Sequence, residues 1–351
     1  MQKPPLSITN ESEQLQSKVI SFLRFPLCVA VVMIHIVANT ESCANTPIYD
    51  SVHYLFGDIF ARVAVPLFFM FSGYLFFYKS EKFALDDYKR KLQKRIKTLC
   101  IPYLFWNLIM IIGCSFSNEL TLTEWIKAFW IYSFPLPTEG IASMPIATQF
   151  WYIRDLMVTV LLSPIIYWLI KKWHIYFVIA LATLWITNYW PLITGFNITA
   201  LFFFSLGAYC SIFKINFAEK LKSHTKLLGS TYIITIIPIL IMQDPNLNPL
   251  RRVGILLGMA FTISLSSRFI SNGKWRINKF LSESSFFIFA YHIIALIIIR
   301  SVIVDKAFKT DIMCTVQYFV LSGVIVITGL LFYYLLKRFL PRFTSIITGG
   351  R

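Results

Sequence analysis

The chain has 351 residues, of which 57% are hydrophobic and 14% charged, and its mean hydropathy is +0.65. A soluble chain of this size carries about 25% charged residues, so the composition excludes an ordinary water-soluble globule and fits an all-α, polytopic membrane bundle. The formal charge of +16 invites a nucleic-acid reading, but the basic residues collect in alternate loops, which is a signal of membrane topology.

Ten apolar spans are predicted, at roughly 19–39, 52–78, 98–116, 149–170, 174–190, 198–213, 227–243, 252–270, 282–303 and 314–336. With the N-terminus cytoplasmic, most of the 33 Lys and Arg fall in cytoplasmic segments, and the outer loops hold few, such as Lys127 and Arg251. That asymmetry puts both termini inside. No cleavable signal peptide is visible at the polar start. There is no internal repeat or appended soluble domain, so residues 1–351 read as one integral membrane domain.

The first span carries Arg24 and His35, eleven residues apart. On a helix they point within roughly 20° of each other and stand about 16 Å apart along the axis. One polar stripe thus holds a cation near one membrane face and an imidazole near mid-depth. Such groups are costly in lipid and usually face an interior, pathway or reaction site. The plainer alternative is a snorkelling arginine and a satisfied buried histidine. In the second span Arg62 precedes Pro66, which is expected to free a backbone carbonyl within the helix, and Ser72-Gly73 offers a close-approach surface with a hydroxyl. The following loop, Lys89 to Lys97, gathers cations ahead of Pro102. It serves topology and anionic lipid, or cradles a polyphosphate ligand.

Between 117 and 148, Leu122, Trp125, Ile126, Phe129 and Trp130 recur at helical spacing, which predicts a short interfacial helix. It reads as an aromatic belt element or as a platform for a sugar. The fourth span opens with Arg154-Asp155. Neighbours on a helix diverge by about 100°, so the two are not expected to pair with each other. His292 lies near mid-depth of the ninth span, after Glu283 and Ser285. Arg62, Arg154 and His292 are either site residues or polar contacts between helices. The cysteines (28, 43, 100, 114, 210 and 314) lack metal or redox spacing and read as small core residues.

Walker-type loops, HExxH, GxSxG and CxxC patterns are absent, and no metal site is expected. An intramembrane imidazole with arginines suits transfer of a group from an anionic donor, with His as general base for a hydroxyl acceptor. It suits a proton-coupled transporter equally, and the residues alone leave both open.

Taken together, the motifs resemble the acyltransferase-3 family of bacterial membrane acyltransferases. Arg24 and His35 match its Arg-x10-His signature. Phe68-Phe69-Met70-Phe71-Ser72-Gly73-Tyr74-Leu75 matches its second-span ending, Lys89 to Pro102 its basic stretch, and Ser285 to His292 its late Ser-to-His element. The resemblance implies that an acyl group, commonly acetyl, moves from cytoplasmic acyl-CoA to a hydroxyl of a cell-envelope glycan or lipid-linked precursor, in the bacterial inner membrane. His35 is then the catalytic base or acyl relay. Arg24, Arg90 and Arg95 hold the CoA phosphates, and Arg62, Ser72, Tyr74, Arg154, Asp155 and His292 line the cavity or contact the acceptor. Membrane lipid is the other implied partner, and a homo-oligomer is compatible with the pattern.

Two departures stand out. Phe289 replaces the usual Tyr, and Arg62 leads to Pro66 where other branches carry an acidic residue. The periplasmic hydrolase-like domain of some members is also missing, so the reaction is expected to finish in the membrane domain or pass to a partner. The rival readings are an exporter or flippase of a glycan intermediate and a non-catalytic partner that recruits a synthase.

Overall fold

An apolar run in lipid satisfies its backbone N–H and C=O groups only by closing them internally, as a helix does. The computed structural model describes residues 6–38, 45–78, 83–115, 122–130, 144–300 and 310–350, and among them it is all-helical, without a strand. Cys43, the side chains of Cys114, Leu122 and Trp125, and residues 131–143 of the long loop lie outside what is described.

Helix α1 (Leu6–His35) runs unbroken through Pro26, so Arg24 and His35 keep their common stripe. The second span begins with α2 (Pro47–His53), continues through a π-helical turn (Tyr54–Phe60) and a 3₁₀ turn (Ala61–Val63), and ends in α3 (Ala64–Phe77). Pro66 therefore sits in the first turn of α3, where a missing N–H costs little. The helix is irregular upstream of Pro66, at 54–63, where the carbonyl it frees also lies.

Helix α4 (Leu85–Arg95) leads through a π turn into α5 (Ile101–Ser115), and α6 (Leu122–Ala128) is the short helix expected in the long loop. Helices α7 (Trp151–Leu161) and α8 (Ser163–Trp173) form the fourth apolar segment, bent by 63° where Pro164 enters the first turn of α8. There follow α9 (Ile175–Ile186), α10 (Ile198–Ile212), α11 (Phe217–Lys222) and α12 (Thr225–Met242). The chain then forms α13 (Asn248–Ser271), α14 (Lys279–Ile299), α15 (Asp311–Phe339) and α16 (Pro341–Thr348).

Among the described residues, each of the ten apolar segments is mainly helical. Among the described residues seven helical stretches are long and apolar enough to cross a membrane, and the bent α7–α8 pair makes an eighth. Helices α9 and α10, at 12 and 15 residues, fall short of that length. Large apolar side chains such as Ile234, Ile241 and Ile327 stay exposed, as a lipid-facing surface requires.

Two contacts place the site. Helices α3 and α10 touch backbone to backbone: a Cβ on Gly73 would stand 2.0 Å from the Phe204 carbonyl oxygen, and one on Gly207 would stand 1.8 Å from that of Met70. The close approach expected at Ser72-Gly73 is therefore real, and its glycines are obligatory. Helices α1 and α14 meet where the Cys28 thiol donates to the Ser285 carbonyl at 3.0 Å. Cys28, Cys210 and Cys314 are buried core residues.

Candidate active site

The α1–α14 contact brings together two imidazoles that the sequence keeps 257 positions apart. The rings of His35 and His292 lie 5.2 Å apart between centroids, tilted by 39°. His292 is 1% exposed. Its Nδ1 faces the Phe289 carbonyl oxygen at 2.6 Å, while Nε2 is buried with no hydrogen-bond partner among the described residues. A carbonyl only accepts, so Nδ1 carries the proton and Nε2 presents a lone pair. The Arg62 guanidinium lies within electrostatic reach of His35.

From His292 a run of aromatic contacts leads to Ser72. Phe289 packs on His292 with centroids 6.1 Å apart and on Tyr152 at 6.0 Å, and the Tyr152 hydroxyl lies 3.3 Å from Ser72 Oγ. Gln149 is tied to the same turn of α14 through its Nε2, which donates to the Ala290 carbonyl at 2.9 Å, and its Oε1 is left buried without a partner. Arg95 lies over the Phe76 ring at 5.8 Å and within electrostatic reach of Tyr152. Arg24 is half-buried and has no hydrogen-bond or ion-pair partner among the described residues. His35, His292, Ser72 and Arg95 thus belong to one connected region, with Arg24 on the His35 stripe.

Other expected site residues lie elsewhere. Arg90 is 79% exposed and pairs with Asp87 at 2.6 Å, so one carboxylate already occupies its fork. Tyr74 packs against Tyr78 and Phe217, on the opposite side of α3 from Ser72. Arg62 stays within electrostatic reach of His35, but it is half exposed and its guanidinium is taken by an ion pair with Asp58 one turn earlier.

Arg154 and Asp155 overturn the expectation that neighbours would not pair. Arg154 Nε bonds Asp155 Oδ1 at 3.0 Å with both side chains 1% exposed, and Arg154 also donates to the Trp130 carbonyl at 2.9 Å. The Cβ vectors do diverge. The arginine stem is nevertheless long enough to fold back, and without water the nearest carboxylate is its best partner.

Among the described residues no three His, Cys, Asp or Glu converge in a way that could hold a metal ion. A bay of about 590 Å³, lined by Lys222, Ser223, Lys226, Arg268, Ser271 and Asn272, opens between α11, α12 and the end of α13. Trp275 stacks between Phe269, beside that bay, and Phe22, two residues before Arg24, at 4.7 and 5.0 Å. The bay therefore shares an end of the bundle with Arg24.

A family profile described as an acyltransferase domain, of the acyltransferase-3 type, matches residues 18–338. The chain belongs to the acyltransferase-3 family. It is a multi-pass helical membrane protein of that family. It is also similar to the succinoglycan biosynthesis protein ExoH of Rhizobium meliloti (strain 1021), at 25% identity over 215 residues. That match covers 56% of this chain, and the chain spans about half, 54%, of the curated relative's length. No solved structure matches it.

Polar residues within apolar spans, and then the family motifs, led to Arg24, His35, Ser72 and His292, but sequence reasoning missed Gln149 and Tyr152 as participants. Both were visible as polar residues at the mouth of an apolar span. It also counted the cations around Lys222, Lys226 and Arg268 only among the cytoplasmic topology charges, because their meeting in one bay depends on how α11, α12 and α13 pack.

Proposed function

We propose that this protein is a membrane O-acyltransferase that moves an acyl group, commonly acetyl in this family, from cytoplasmic acyl-CoA to a hydroxyl of a cell-envelope glycan or its lipid-linked precursor. In this reading the chain is one integral domain of ten membrane-crossing segments in the bacterial inner membrane, with both termini cytoplasmic. The relative's role in succinoglycan biosynthesis supports a saccharide acceptor. The observation that carries the proposal is the unbroken α1, which presents an uncompensated Arg24 and, about 16 Å further along the same stripe, an imidazole held against the bundle core.

His35 takes the proton from the acceptor hydroxyl as its oxygen attacks the thioester carbonyl carbon. The carbon–sulfur bond breaks, and the CoA thiolate leaves with the proton that His35 returns. Arg24 and Arg95, with the Lys222–Arg268 bay behind them, attract the donor phosphates. Arg62, Arg154 and Asp155 act on the acceptor side or hold the helices that frame it.

The test is binding and turnover of labelled acetyl-CoA by the purified protein in nanodiscs. Arg24→Ala is expected to lose donor binding and His35→Ala to lose turnover alone. If wild type ignores acetyl-CoA and longer acyl-CoAs alike, while vesicles carrying it translocate a lipid-linked saccharide, the protein is an exporter and the proposal fails.

A further inference from the structure

We propose that His292 is the positioning residue of His35: its Nε2 accepts an N–H from the His35 ring and so fixes which His35 nitrogen carries the reactive lone pair. The inference rests on the catalytic role proposed for His35, but the pairing itself can be observed without any turnover.

Three observations carry it. The Phe289 carbonyl claims Nδ1 at 2.6 Å, which settles the His292 tautomer and makes Nε2 an acceptor. That acceptor is sealed in a side chain 1% exposed, with no donor bonded to it among the described residues. An acceptor left so in an apolar interior costs about 1–3 kcal/mol. The polar ring that packs against His292 is His35, at 5.2 Å between centroids.

That separation fits the bond. An imidazole nitrogen lies about 1.1 Å from its ring centre, so rings 5.2 Å apart reach an N···N distance of about 3 Å when their nitrogens face each other. Rotation of the His35 side chain supplies that facing. The arrangement repeats the logic of a catalytic triad, in which a third group holds the imidazole of the base in one tautomer. Here the third group is a neutral imidazole rather than a carboxylate, so it orients His35 without adding a buried negative charge.

The contacts of α14 set this up. The Cys28–Ser285 bond fixes α1 against α14 two turns before the imidazoles, and Gln149 holds the Ala290 carbonyl beside them. Phe289 also packs on the His292 ring, with centroids 6.1 Å apart.

The experiment is nitrogen-15 magnetic resonance on full-length, histidine-labelled protein in bilayers, with resonances assigned by single substitutions, alongside acyl-CoA kinetics. Wild type is expected to show His292 protonated at Nδ1, His35 in a single tautomer, and a coupling across the hydrogen bond between the two rings. His292→Phe should release His35 into both tautomers and lower kcat at least about tenfold while donor KM stays within about twofold. His292→Gln, whose amide oxygen also accepts, should recover part of that loss. The proposal is overturned if wild type shows no coupling, or if His292→Phe leaves the His35 tautomer and kcat unchanged. Because the wild-type spectrum alone decides the pairing, a misfolded variant leaves the test intact. A coupled pair in a protein that never turns over any acyl-CoA would sink the proposed function and leave the pairing standing.

Discussion

Arg154 and Asp155 are adjacent in sequence and paired in space, at 3.0 Å, with each side chain 1% exposed. The guanidinium also reaches the Trp130 carbonyl and lies over the Trp130 ring at 5.7 Å, so the pair ties the long loop before α7 to that helix. Removing one partner strands the other charge in the core. Arg154→Met is expected to destabilise the protein by about 3–5 kcal/mol. The double change Arg154→Met with Asp155→Leu should cost less than the single one. Thermal denaturation in one detergent, monitored by tryptophan fluorescence, checks the order.

The α3–α10 seam should tolerate no side chain at Gly73 or Gly207, because an added Cβ meets backbone rather than a movable side-chain tip. Gly73→Ala is expected to push the helices apart at a cost of about 1–3 kcal/mol or more and to sharply lower the yield of folded protein. Gly113→Ala and Gly323→Ala, which meet nothing within 4 Å, should behave as wild type. Size-exclusion profiles of the three variants provide the comparison.

Asp311 reaches from the start of α15 to the first turn of α2, accepting from the backbone N–H of Ile48 at 2.8 Å and of Tyr49 at 2.7 Å. It caps that helix from across the fold. Asp311→Ala should cost about 1–2 kcal/mol. Limited proteolysis should show faster cleavage around residues 45–50, with the rest of the bundle unaffected.

The Lys222–Arg268 bay is proposed above to help gather the donor phosphates. Reversing Lys226 and Arg268 to Glu together should raise acyl-CoA KM about tenfold or more while leaving kcat within about twofold. Salt should weaken donor binding to wild type more steeply than to the variant. Equal KM values in the two proteins would remove the bay from the donor site.

Much of this molecule was legible before any coordinates. Mean hydropathy and the spacing of apolar runs gave an all-helical membrane chain, and among the described residues each of those runs is mainly helical. The eleven-residue spacing of Arg24 and His35 fixed their common stripe, because α1 is a single regular helix and helical geometry converts spacing into direction. Ser72-Gly73 announced a close helix contact for a similar reason: a bare Cα has few other uses in an apolar span.

What periodicity could not supply is everything that depends on a partner. The sequence pointed to a freed carbonyl at Pro66 and gave no sign of the π and 3₁₀ turns at 54–63 that precede it. It judged the Arg154–Asp155 pair by Cβ directions, which say nothing of how far an arginine stem folds back when water is excluded. Above all, it treated His35 and His292 as separate polar residues. Helical periodicity reports a direction relative to one axis, and only the packing of α1 on α14 decided that the two imidazoles come within 5.2 Å of each other.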